Sequence, residues 1–205
     1  MRLLKLMLFV AFITAISVNC NAKKQEIKSE SSKMDRPKYE LTVFQNGNEL
    51  GKIILETFPE EAPLHSANFD SLVTTGFYDG TAFHRVIPGF MIQGGDPNTK
   101  NQPNNPNSWG MGDPSQKRVP AEFNAGKPGW NHKRGILSAA RSNDPNSATS
   151  QFFIMHAAYP SLDGLYSIYG QVLEGIEVVD KVVSTPSTND RPNEKVTMQI
   201  KKLSK

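Results

Sequence analysis

Phe83-His84-Arg85-Val86-Ile87-Pro88-Gly89-Phe90-Met91-Ile92-Gln93, running on into Gly94-Gly95-Asp96, sets one arginine, two large apolar side chains and one glutamine along a short extended stretch. In an extended segment successive side chains alternate between faces, so Arg85 and Gln93, eight positions apart, share a parity and are expected to face one groove. Met91 shares that parity. Phe90 does not, and it reaches the same groove only if Pro88-Gly89 breaks the alternation, as such a pair readily does. The competing reading is an ordinary barrel strand, with Phe90 and Met91 in the core and Arg85 as a solvated edge charge.

Outward from this stretch the pattern is one of strands. Tyr39, Leu41 and Val43 alternate with Glu40 and Thr42, and Asn46-Gly47 supplies the positive-φ pair of a tight hairpin before Lys52 to Glu56. Pro63 suits the first turn of a helix whose apolar face is Leu64, Ala67, Phe69, Leu72 and Val73, with Gly76 just past its end. A second short helix is predicted from Ile176 to Val183, where Ile176, Val179 and Val183 recur at helical spacing before Pro186. Between about 97 and 134 runs a long loop rich in Asn, Pro, Gly and Lys; a loop of that length in a compact domain is usually functional or disordered.

These residues resemble the cyclophilin-type peptidyl-prolyl cis-trans isomerases over roughly residues 37 to 203. The signature stretch carries the resemblance, with Asn68-Phe69, Gly76-Phe77-Tyr78-Asp79-Gly80-Thr81, Gly135-Ile136-Leu137-Ser138, Gln151-Phe152-Phe153-Ile154, Leu162-Asp163-Gly164 and Gly170-Gln171-Val172 following in the family's order. The resemblance implies a mainly β fold, a closed eight-stranded antiparallel barrel with a helix over each open end. It also implies a site. Arg85 and Gln93 would be catalytic, and Phe90, Met91, Ala140, Arg141, Gln151, Phe153, Leu162 and Tyr166 would bind substrate. Arg141 stands where an asparagine is common, at a place where the family uses the backbone. Ser161 stands where many eukaryotic members carry a tryptophan that binds cyclosporin, and Tyr166 where they carry histidine.

The chemistry implied accounts for the residue types. Rotation about an Xaa-Pro bond must break amide resonance, a barrier of ~18–20 kcal/mol. A donor aimed at the prolyl nitrogen favours the twisted state while an apolar pocket grips the ring, so neither cofactor nor metal is needed. Arg85 is the one residue of the signature offering a permanent charge and several donors in a plane. Raising the rate from roughly 10⁻² to ~10² s⁻¹ takes about 5 kcal/mol, whereas one charge-assisted hydrogen bond supplies ~1.5–3 kcal/mol. Water exclusion by Phe90, Met91, Phe153 and Leu162, with Gln93 orienting a carbonyl, is expected to supply the rest. A pure binding module for proline-containing segments would use the same groove without turnover.

Other chemistries find no footing. His65, His84, His132 and His156 show no zinc-type spacing, no Gly-x-Ser-x-Gly elbow is present, and Gly126-Lys127 lacks the rest of a phosphate loop. His84 is expected to support the strand from behind. The net charge of the chain is +3, and residues 23–205 carry 21 basic and 20 acidic side chains, which does not advertise nucleic-acid binding. A monomer acting on unfolded or extended proline-containing segments is the expectation.

The N-terminus reads as an export signal. Arg2 and Lys5 precede a thirteen-residue, mostly apolar run from Leu6 to Val18, shorter than a membrane span, so residues 1–22 are read as a signal peptide. Cys20, the chain's single cysteine, suits lipid attachment as in bacterial lipoproteins, although Ser17-Val18-Asn19 departs from the preferred residues before it. Ordinary cleavage after Ala22 is the rival reading. Residues 23–36 are polar and charged, a flexible tether reaching about 20 Å or simply a frayed terminus. Either way the domain, residues 37–205, is expected outside the cytoplasm, in the periplasm or cell envelope.

Overall fold

The structure of the protein, a computed structural model, describes residues 36–123 and 130–204. The signal peptide, Cys20 and all of the tether but Arg36 therefore lie outside the described residues. Among the described residues no helix is long and apolar enough to cross a membrane.

The first hairpin forms where the alternation placed it. Strands β1 (Lys38–Gln45) and β2 (Asn48–Thr57) pair with Gln45 opposite Asn48, and Asn46 and Gly47 both hold positive φ, as a two-residue turn twisted with its strands requires. Helix α1 (Pro63–Thr74) follows, with Pro63 in its first turn. Strands β3 (Ala82–Phe83), β4 (Arg85–Ile87) and β5 (Met91–Gly94) come next, then the four-residue helix α2 (Asn98–Asn101). Strands β6 (Ile136–Ala139), β7 (Phe152–Met155) and β8 (Ile168–Glu174) lead to helix α3 (Ile176–Val183). A small ribbon, β9 (Ser187–Thr188) with β10 (Arg191–Pro192), precedes the last strand, β11 (Val196–Lys202).

The main sheet runs β3-β11-β1-β2-β8-β6-β7-β5-β4, and every pairing within it is antiparallel. Its two ends, β3 and β4, are consecutive in the chain, separated by His84 alone. They are one strand that changes neighbours, pairing with β11 on one side of His84 and with β5 on the other. The sheet is thereby closed. The nine strands counted in it are the expected eight with one interrupted.

Closure gives the barrel an inside and an outside, and strand alternation sorts the side chains between them. Ile92, Leu137, Phe152 and Ile154 join the interior core with Tyr39, Leu41, Phe69 from α1 and Val179 and Val182 from α3. Their neighbours Met91, Ile136, Phe153 and Met155 form a second apolar cluster with Phe58 and Ile168. Strands buried on both faces mean that something covers the outer face of β5, β7 and β6.

The first part of the long loop, residues 97–112, gathers around one buried carboxyl group. Asp96 accepts hydrogen bonds from the backbone N–H groups of Asn98 (2.9 Å), Gly110 (2.5 Å) and Gly112 (3.1 Å). The Asn98 amide then bonds the carbonyls of Ser108 and Gly112. A polar side chain with no exposed surface is tolerable only when so satisfied.

Candidate active site

The stretch from 83 to 93 is not the single strand that its alternation suggests. Pro88 and Gly89 turn it back on itself: Gly89 sits at φ +76°, a conformation glycine adopts at little cost, and the Phe90 N–H closes the turn on the Ile87 carbonyl at 3.0 Å. Arg85 and Gln93 do share a face, because they are cross-strand partners in the β4–β5 hairpin. The row continues. Gln93 lies opposite Phe153 of β7, and Phe153 opposite Ser138 of β6. One line of the outer face therefore reads Arg85, Gln93, Phe153, with Met91 and Met155 paired in the row beside it. Phe90, at the end of the turn, packs its ring on Tyr159 with centroids 4.6 Å apart.

These side chains line a cavity of about 100 Å³ bounded by Arg85, Phe90, Met91, Gln93, Ala140, Arg141, Phe153, Leu162 and Tyr166. Every site residue expected from the sequence is there except Gln151. That residue lines an adjoining cavity of about 270 Å³, which shares Gln93, Ala140 and Arg141 with the first. Gln151 joins the two, accepting a hydrogen bond from the Gln93 amide (3.0 Å) and donating to the Gly110 carbonyl (3.1 Å). Met91 and Phe153 are buried, and Tyr166 stands edge-on to Phe153. Arg85 remains half exposed, with only Asp190 nearby at 3.8 Å, and its guanidinium makes no hydrogen bond to a described residue.

Arg141 contributes more than backbone. Its guanidinium donates to the Leu165 carbonyl (3.1 and 2.8 Å) and the Ser142 carbonyl (2.8 Å) and lies 4.5 Å over the Tyr166 ring, so the side chain walls both cavities.

Behind the row stands a hydrogen-bonded trio absent from the sequence reading. The buried His132 ring faces the Ser138 hydroxyl at 3.0 Å with Nε2 and the Asp163 carboxylate at 2.9 Å with Nδ1, and it stacks on Phe153. The order Asp-His-Ser is that of a hydrolytic triad, but Ser138 has no exposed surface and no acyl group can reach it. Burial pushes the His132 pKa below the ordinary histidine value, with Asp163 pulling partly the other way. A neutral ring holding Asp163 beside Leu162 is a scaffold for the cavity wall. Asp190 and Tyr159 were also missed. Asn189-Asp190 is legible as a turn pair, both residues holding positive φ, but nothing local tells that its carboxylate comes to Arg85.

Residues 41–203 match the protein family described as cyclophilin type peptidyl-prolyl cis-trans isomerase/CLD. The chain is 44% identical over 144 residues to the Arabidopsis thaliana peptidyl-prolyl cis-trans isomerase CYP18-1, covering 70% of this chain and 84% of that one. It is 36% identical over 168 residues to a peptidyl-prolyl cis-trans isomerase of Acinetobacter baylyi, covering 79% and 82%. Among solved structures it is similar to a Cryptosporidium parvum cyclophilin type peptidyl-prolyl cis-trans isomerase, with TM-score 0.69, 28% identity and coverage of 83% of this chain and 99% of that one. The same parasite protein in the presence of the dipeptide Ala-Pro gives TM-score 0.65 at 30% identity, covering 81% and 99%.

Proposed function

The chain belongs to the cyclophilin-type peptidyl-prolyl cis-trans isomerases, and on that footing we propose how its groove turns an Xaa-Pro bond and where it does so. The pyrrolidine ring enters the small cavity against Phe90, Met91, Phe153 and Leu162, with Ala140, Arg141 and Tyr166 at its far side. Arg85 donates to the prolyl nitrogen as it pyramidalises, which takes that lone pair out of resonance with the carbonyl. Gln93, held by Gln151, orients a substrate carbonyl. The carrying observation is the cross-strand row of Arg85, Gln93 and Phe153, which sets a guanidinium with no close hydrogen-bond partner among the described residues beside a small open cavity whose walls include Phe90, Met91, Phe153 and Leu162.

A protease-coupled assay on an Xaa-Pro peptide tests this with the purified 23–205 protein and its Arg85→Ala variant. The variant is expected to lose about 30- to 1000-fold in kcat/KM, ~2–4 kcal/mol for one charge-assisted bond and part of the groove's field, with little change in thermal stability. A near-normal rate would reassign the arginine to structure. Peptide binding without turnover in the unaltered protein would instead make the domain a binding module.

The setting is part of the proposal. Residues 1–22 would direct export, a lipid on Cys20 would anchor the chain, and residues 23–36 would hold a monomeric domain, residues 37–205, off the membrane. There it would speed the folding of exported proteins by acting on their exposed proline segments. The support is the charged n-region, the apolar run and the position of the cysteine.

A further inference from the structure

The turn carrying Phe90 is tied to one short segment, residues 156–159. The Phe90 carbonyl accepts the N–H groups of His156 (2.9 Å) and Ala157 (3.3 Å), and the Phe90 ring packs on Tyr159. The remaining tie uses a side chain: the Gly89 N–H donates to His156 Nδ1 at 3.0 Å. That bond exists only while Nδ1 carries no proton. The other ring nitrogen, Nε2, lies 3.3 Å from Asp180 Oδ1 on α3, so the ring's proton belongs there. Asp180 is in turn gripped by Arg134 through two contacts of 2.8 Å, and Arg134 donates to the His156 carbonyl at 2.7 Å. Among the described residues the charged groups bonded to His156 are Asp180, at the ring, and Arg134, at the backbone carbonyl and on Asp180, and the turn itself, Ile87 to Phe90, contributes none.

We propose that His156 is a positioning residue: neutral, its ring helps hold the Pro88-Gly89 turn and hence the Phe90 wall; protonated, it turns a donor toward the Gly89 N–H and loses that bond, so isomerisation weakens as the ring takes up a proton. The inference rests on the reading of Phe90 as a wall of the proline groove.

The test measures kcat/KM from pH 5 to pH 8 for the unaltered protein and for His156→Asn, His156→Ala and Phe90→Ala. An asparagine amide oxygen can occupy the place of Nδ1 and does not titrate. The unaltered protein is expected to fall about five-fold toward acid, the worth of one neutral hydrogen bond. His156→Asn keeps most of the rate and shows no fall, while His156→Ala is lower by a similar factor at both ends. The Gly89 amide resonance moves with pH in the unaltered protein and stays still in His156→Asn. An acid fall persisting in His156→Asn, which the other histidines would produce, overturns the inference, as does a Gly89 resonance that never moves. Phe90→Ala with an unchanged rate overturns the groove reading and this inference together. An impaired Phe90→Ala beside an unaffected His156→Ala overturns this inference alone.

Discussion

His84 is the chain neighbour of Arg85, and its imidazole is buried with neither ring nitrogen reaching a hydrogen-bond partner among the described residues. Burial pushes its pKa down to about 4, with nearby Asp96 pulling the other way. Unfolded, the same ring titrates near ~6.5. Above that value both states are neutral and the group adds no pH dependence. Below it the unfolded chain takes up the proton first, so stability falls as pH falls through the window, by up to about 3 kcal/mol. His84→Leu is expected to remove this slope. Urea denaturation at pH 7 and pH 4.5 should show the variant gaining about 2–3 kcal/mol relative to the unaltered protein on acidification; a difference independent of pH would mean that the folded ring protonates freely. Arg85 presents the opposite case. Its pair with Asp190 is long and half exposed, a type worth ~0–1 kcal/mol, so leaving it for a substrate costs little.

Two glycines show how elements are held, one by conformation and one by contact. Gly89 has φ +76° and a β-carbon there would meet open space. Gly175, entering α3 at φ +80°, would drive a β-carbon to 2.0 Å from the Lys52 carbonyl of β2. Gly89→Ala is therefore expected to cost only the left-handed backbone penalty, ~1–2 kcal/mol. Gly175→Ala adds an overlap between backbones that no rotamer relieves, and should cost about 3–5 kcal/mol as α3 lifts from β2. Equal losses in chemical denaturation would refute the steric account. Helix α3 was legible to its ends because Ile176, Val179 and Val183 recur at helical spacing before Pro186. The β4–β5 hairpin was not, and for a definite reason. Cross-strand partners an even number of residues apart share a parity, so alternation gives Arg85 and Gln93 one face whether the chain runs straight or folds back. The loop after β5 was opaque because the donors to Asp96 come from residues 98, 110 and 112, and no local pattern announces such a convergence.

Across the whole molecule, strand β11 pairs with both β1 and β3, so the barrel cannot close until the last described strand is in place. The anchoring proposal belongs to this scale as well. If Cys20 is lipidated, the exported protein should partition into detergent with an intact mass raised by several acyl chains, and Cys20→Ser should be left uncleaved or cut elsewhere. A soluble product beginning Lys23-Lys24-Gln25 with the unmodified polypeptide mass would refute the anchor and leave the isomerase untouched, since no groove residue lies near position 20 in the chain. Nearly all of the lining of the candidate site was legible because the row Arg85, Gln93, Phe153 is written in short contiguous motifs; what braces it, His132, His156, Tyr159 and Asp190, comes from separate turns that only folding brings together.

The strand divided at His84 has one more effect. With β3 and β4 joining the two ends of the sheet, the His84 N–H bonded to the Gln93 carbonyl and the Val86 N–H to the Asp190 carbonyl, the barrel presents no row of unpaired backbone groups along that seam. Unpaired strand edges are templates on which extended chains assemble. Any extended, proline-bearing peptide that approaches the groove is such a would-be partner. Sealed along its seam, the barrel can meet such a peptide through side chains in the groove yet offers its backbone no strand to join there.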